Sequence, residues 1–130
     1  MSSIFSKIIA GEIPAYKIHE DENYLAFLDI FPVAKGHCLV IPKVEIDYFF
    51  DLDDKTRDGL LSFATKIAKA MDKAFDCERI GLTILGLEVP HAHIHLVPLD
   101  KKGIIDFTKD KLAFNKEEFE TIAKVIRAQL

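Results

Sequence analysis

The spacing of apolar positions changes repeatedly along the chain, and each change marks the border of an element. Ile4, Phe5, Ile8 and Ile9 recur at helical steps behind the capping candidates Ser2 and Ser3, which predicts a short helix stopped by Gly11 and Pro14. In AYKIHE the pattern turns to alternation, YLAFLDI is a denser apolar run, and the polar break DEN between them has the length of a hairpin connection. HCLVIP, bounded by Gly36 and Pro42, supplies a third strand.

From about Asp53 to Phe75 the helical period returns and holds. Leu60, Phe63, Ala64, Ile67, Met71, Ala74 and Phe75 form one long apolar stripe, as on a helix that covers a sheet. RIGLTIL and HAHIHLV then read as two more strands joined by GLEVP, whose Gly86 and Pro90 mark a turn and a strand entrance. A last helix begins at Asn115, which makes a capping box with Glu118 and leads Phe119, Ile122, Ala123, Ile126 and Leu130 along one face. Strands and helices do not alternate strictly. The expected fold is therefore α+β: a single antiparallel sheet of about five strands covered by a long helix, with a short N-terminal helix and a C-terminal helix. No repeat and no Ser- or Gly-rich linker divides the chain, so one domain spanning residues 1–130 is expected.

Charge narrows the partners. The formal net charge is −4, with bases interleaved among acids, so there is no basic stripe for nucleic acid or an anionic membrane. Lys7 and Glu12 interrupt the N-terminal apolar residues before they reach the length of a signal-peptide core or a spanning helix. Cys38 and Cys77 are too few for a disulfide framework. A cytoplasmic protein is the expectation.

Three of the five histidines fall within HAHIHLVP. On a strand, His91, His93 and His95 share one face while Ala92, Ile94 and Leu96 share the other. A core on the apolar side then fixes the register, and with it the positions of the rings. Three uses are open to such a face. Imidazoles on one strand can ligate zinc with a water in an open position, although this stretch has no cysteine pair to close a structural site. One imidazole can attack phosphorus while its neighbours hold its tautomer and donate to phosphate oxygens. The rings can also be plain solvated strand residues.

These residues resemble the motif of the histidine triad superfamily, His-x-His-x-His with apolar residues between and after it, here continued by Leu96 and Val97. LAFLDIFPVAKGHCLVIPK, Leu25 to Lys43, is similar to the stretch of that family with an Asp, a Pro and then Gly-His ahead of an apolar strand. SIFSKIIAGEIPAYKIHED resembles its opening helix and first strand. The likeness is strongest to the histidine triad nucleotide-binding branch.

The resemblance implies a nucleotide-binding hydrolase or transferase acting at the α-phosphate of a nucleoside phosphoramidate or acyl nucleotide. It implies that His93 attacks and is transiently nucleotidylated, that His95 and His37 lie against the phosphate or leaving group, and that His91 orients the nucleophile. It puts Asp29 on the ribose hydroxyls and Ile4, Phe5, Ile8, Phe27 and Ile30 on the base; the backbone amides of the turn at Glu88 and Val89, or the Thr83 hydroxyl, are chemically suited to phosphate. A purine nucleotide or nucleoside phosphoramidate is the implied ligand, and a homodimer through the long helix and a neighbouring strand the implied assembly. Dinucleoside polyphosphate hydrolysis, or nucleotide binding with little turnover, are the alternatives.

Several positions depart from the family. Gly86-Leu87 stands where a glycine-glutamine pair is usual, the loop before it is shortened to LTIL, and Glu45 replaces a second histidine. Ser3 and Ser6 stand where some relatives carry a zinc-binding Cys-x-x-Cys; hydroxyls are poor zinc ligands, so neither structural zinc nor a cofactor is expected. The stretch DKKGIIDFTKDKLAF follows no such pattern. It either reaches the site and shapes leaving-group preference or packs along the sheet edge.

Overall fold

Ser3 caps the first helix, α1 (Ile4–Ile9), by accepting the Ser6 amide at 3.0 Å. Asp53 does the same for the long helix α2 (Asp54–Ala74) through the Thr56 amide at 2.7 Å, and both halves of the Asn115–Glu118 capping box open α3 (Lys116–Arg127). The computed structural model, which describes residues 2–130, sets these helices around five strands: β1 (Lys17–Glu20), β2 (Tyr24–Leu28), β3 (Cys38–Pro42), β4 (Arg79–Thr83) and β5 (Ile94–Leu99). Every neighbouring pair is antiparallel, in the order β1-β2-β3-β5-β4. The expected α+β class is the one observed. Among the described residues no helix is long and apolar enough to cross a membrane.

Alternation splits the strands between two cores. Ala26, Leu28, Val40, Ile94 and Leu96 point toward α2 and α3 and join Leu60, Ile67, Met71 and Ile126, all buried. Leu25, Phe27, Leu39 and Ile41 point the other way, where Phe5 and Ile8 of α1 cover them. Each fully buried side chain of this size contributes about 1.5–3 kcal/mol. The larger core holds the sheet against α2 and α3, and the smaller one anchors α1 at the sheet's other face.

Most strands are a residue or two shorter than the sequence expectation, and one of these borders matters for the site. β4 ends at Thr83, short of Leu85, and β5 begins only at Ile94, so His91 and His93 precede the strand. The cause lies across the ladder. Val40 pairs with Ile94, so the next inward position on β3 is Pro42, which has no N–H to give. The Pro42 carbonyl is occupied by the His91 ring at 2.7 Å, and the Ala92 amide turns away to Ile46 O, also at 2.7 Å. At the C-terminus, Leu130 lies past the end of α3 and is exposed.

Gly36 opens β3. Its φ of +91° is one that side-chain-bearing residues rarely adopt, and an added Cβ would meet the Phe75 ring at 2.5 Å. The turn is closed by His37 N to Ala34 O at 3.1 Å and by Asp29 N to His37 O at 3.0 Å. Asp29 and His37 are thereby brought side by side.

Candidate active site

The triad does not present one wet face. His91, His93 and His95 are all buried, at 0%, 4% and 7% exposure, as is His37 at 1%. Such rings need partners, and their bonds assign the protons of the neutral forms. A carbonyl only accepts, so His91 gives its Nε2–H to Pro42 O at 2.7 Å, leaving Nδ1 to accept the Ser3 hydroxyl at 2.9 Å. His93 in turn gives its Nδ1–H to the His91 carbonyl at 2.7 Å. Its Nε2 is left bare.

His37 runs in the opposite sense. The Val33 amide donates to its Nδ1 at 3.1 Å, so Nε2 carries the proton and donates to His95 Nδ1 at 2.9 Å. That places the proton of His95 on Nε2. The result is a bare nitrogen on His93 beside an N–H on His95, with ring centroids 5.0 Å apart. Among the described residues neither Nε2 has a hydrogen-bond partner, yet no buried side-chain nitrogen or oxygen lacks one. Both atoms therefore reach the small cleft of about 100 Å³ that these two rings line with Leu85, Gly86, Leu87, Glu88 and Phe107. A larger hollow of about 770 Å³, between Ala34, Phe75, Pro98 and Asp100, contains none of the histidines.

Burial sets the charge of the cluster. Desolvation lowers His37 to about 4, helped by the Lys111 ammonium, and lowers His95 to about 4, helped by His37 and His93 and opposed by Asp29. Burial also lowers His91, against its bond to Pro42 and the nearby Glu45 carboxylate. At neutral pH His37 and His95 are uncharged. The 3.6 Å approach of Asp29 Oδ2 to His37 Nε2 is accordingly no ion pair, and it is too long for a hydrogen bond. Asp29 Oδ1 accepts the Phe31 amide at 2.8 Å, and Oδ2 has no hydrogen-bond partner among the described residues.

His37 was expected against the phosphate or leaving group. The structure instead sets it behind His95, with both ring nitrogens engaged. Of the expected base wall, Phe5, Ile8 and Phe27 are buried in the smaller core and Val89 packs on it, while Ile4 and Ile30 are about half exposed. Phe5 packs edge-on against His93 at 5.1 Å and against His91 at 5.9 Å, so α1 buttresses the triad directly. The backbone amides of residues 85–89 donate no hydrogen bond among the described residues. Asp29, His37 and His95 offer one donor atom each within 4.8 Å of one another, the spacing of a metal-ligand set. A cation there would compete with the His37–His95 bond for the same nitrogens.

Ser3, Ser6 and Glu45 form a hydrogen-bonded clamp on His91. Glu45 Oε1 accepts the Ser3 amide and, at 2.8 Å, the Ser6 hydroxyl, and these bonds hold its carboxyl down at about 2. The sequence marks Ser3 as a capping candidate and Ser6 and Glu45 as departures from the family, and none of the three as a partner of His91. The serine links to His91 span more than eighty residues of chain, and no local pattern encodes them. Ser3→Ala removes both the α1 cap and the donor to a buried ring nitrogen, so it is expected to destabilise the fold by about 2 kcal/mol. Urea unfolding checks this, with Ser3→Thr retaining most of the wild-type stability.

Residues 10–102 match the HIT domain family. The chain is 45% identical over 107 residues to protein hit of Bacillus subtilis, covering 77% of this chain and 72% of that one. It is 39% identical over 105 residues to an adenosine 5'-monophosphoramidase of Saccharomyces cerevisiae, covering 78% of this chain and 66% of that one. The crystal structure of a Hit-like protein from Bartonella henselae superposes with a TM-score of 0.88 at 36% identity, over 99% of this chain and 96% of that one. With the family match extending over most of the chain, His93 and His95 at one cleft, His91 bonded behind His93 and the Asp29 and Gly36-His37 turn behind His95, the protein belongs to the HIT domain family.

Proposed function

We propose that this chain is a nucleotide hydrolase that cleaves nucleoside phosphoramidates at the α-phosphate through His93. The observation that carries the reading is the pairing of a bare His93 Nε2 with the His95 Nε2–H at one cleft. His93 Nε2 attacks phosphorus, the new N–P bond forms, and the bond to the leaving amine breaks with its electron pair, the amine taking a proton from water. Water then attacks phosphorus, releases the nucleoside monophosphate and returns His93 to its starting form.

His95 acts as a fixed hydrogen-bond donor. Its burial keeps the ring neutral, so it stabilises the charge that builds on a phosphoryl oxygen without first giving up a proton. His37 and His91 position the other two rings. The unengaged amides of residues 85–89 are suited to the remaining phosphate oxygens, and the free Asp29 Oδ2 to a ribose diol. A similarity to an adenosine 5'-monophosphoramidase supports an adenine nucleotide as the substrate class. A homodimer through α2 and the edge strand β4 belongs to the same proposal, and sedimentation equilibrium tests it.

Leu87 favours a second reading, a nucleotide-binding module with little turnover. It is 92% exposed at the cleft and supplies no donor where a glutamine is usual in the family. One experiment separates the two. Purified protein incubated with adenosine 5'-phosphoramidate is expected to release ammonia in a burst and AMP at the steady-state rate, with an acid-labile protein adduct trapped on alkaline quenching. Calorimetric AMP binding without release would leave the module.

A further inference from the structure

The family match ends at residue 102, yet the cleft has a wall from beyond it. We infer that the loop after β5 builds the leaving-group side of this site, with Phe107 as a specificity-determining residue for apolar, ring-bearing leaving groups. The inference rests on the function proposed above. The rings make a continuous row: Phe27 to Phe5 at 5.5 Å, Phe5 to His93 at 5.1 Å, His93 to His95 at 5.0 Å, and His95 to Phe107 at 4.8 Å. Phe27 and Phe5, which the family resemblance puts at the base, lie at one end of this row and are buried in the smaller core. Phe107 closes the row at the other end, beyond both rings that meet phosphorus, and in-line displacement sends the leaving group away from the attacking nitrogen.

The loop is held in place. Leu112 N donates to Pro32 O at 2.9 Å, the Asp106 carboxylate accepts Thr108 N at 2.9 Å, and Lys111 donates to the Phe107 carbonyl. Lys111 Nζ also lies 5.8 Å from the centre of the Phe107 ring, against which a cation is attracted. Phe107 itself is only partly buried, and Leu85 and Leu87 across the cleft are exposed. Three apolar side chains thus border the space next to His95. An aromatic amine can stack there, whereas ammonia or a second phosphate finds no partner among them.

The test compares kcat/KM for two adenosine phosphoramidates, one with an aromatic amine as leaving group and one unsubstituted, in wild type, Phe107→Ala and Phe107→Tyr. The wild type is expected to prefer the aromatic compound, Phe107→Ala to lower that preference by about fivefold to tenfold, mainly through KM, and Phe107→Tyr to keep it. Equal losses on both compounds would make Phe107 a support for His95 alone and overturn the inference, as would an unchanged preference. Failure of the wild type to turn over either compound would sink the proposed hydrolysis instead. The same preference, read as a ratio of dissociation constants, then decides the role of Phe107. Thermal melts confirm that each variant is folded.

Discussion

Replacing His93 with alanine is expected to cut phosphoramidate turnover by about 10⁴-fold or more while AMP affinity stays within a few-fold. The size follows from what the ring supplies. Its Nε2 is the bare imidazole nitrogen at the cleft, because the His91 carbonyl holds the proton on Nδ1 and His95 presents an N–H. Water in the vacated space has neither that nucleophilicity nor that alignment. Binding should survive, since the groups assigned to the nucleotide, Asp29 and the amides of residues 85–89, are separate from His93. The trapped acid-labile adduct should vanish with the activity. Residual turnover within tenfold of wild type, in a variant with an unchanged urea transition, would remove His93 from the chemistry.

Much of the fold was legible because its signals are local. Ser3, Asp53 and Asn115 each cap a helix where the sequence suggested a start, and the stripe from Leu60 to Met71 is buried against the sheet. Strand alternation assigned Ile94 and Leu96 to the main core correctly. The beginning of β5 was misread for a non-local reason. HAHIHLV looks like a strand throughout, but the ladder needs a donor at Pro42, and a proline on the neighbouring strand is invisible to a local period.

The site was half legible in the same way. Spacing placed His93 and His95 at one cleft, and the Asp29 and Gly36-His37 block came to the same region. Spacing did not tell which rings face outward. His91 and His37 differ from their neighbours only in their tertiary partners, Ser3 and Pro42 for one, Val33 and His95 for the other. These two rings act through hydrogen bonds at their backs, which is where a buried imidazole is most sensitive to its tautomer. Phe107 was unreadable for a different reason. It lies in a loop without period or cap, and only the packing of that loop on Pro32 brings it to His95.

Acid is expected to destabilise the protein by on the order of 3–5 kcal/mol between pH 6.5 and pH 4, which the neutrality of His37 and His95 dictates. Burial lowers both rings from 6.5 to about 4. In the unfolded chain each takes up a proton as the pH falls through about 6.5, and in the folded chain only near about 4. Across that window the unfolded state binds more protons, so stability rises with pH and is lost as the pH falls. The two rings share a hydrogen bond, so their protonations are coupled and the loss belongs to the pair. His91, also lowered by burial, acts in the same direction. Urea midpoints at pH 7, 6, 5 and 4 measure the slope, and His37→Gln should flatten it even where it lowers stability at pH 7, because an amide does not titrate. A wild-type midpoint constant over this range would mean that the buried rings charge without cost. It would also remove the physical basis for treating His95 as a neutral donor whose direction His37 sets.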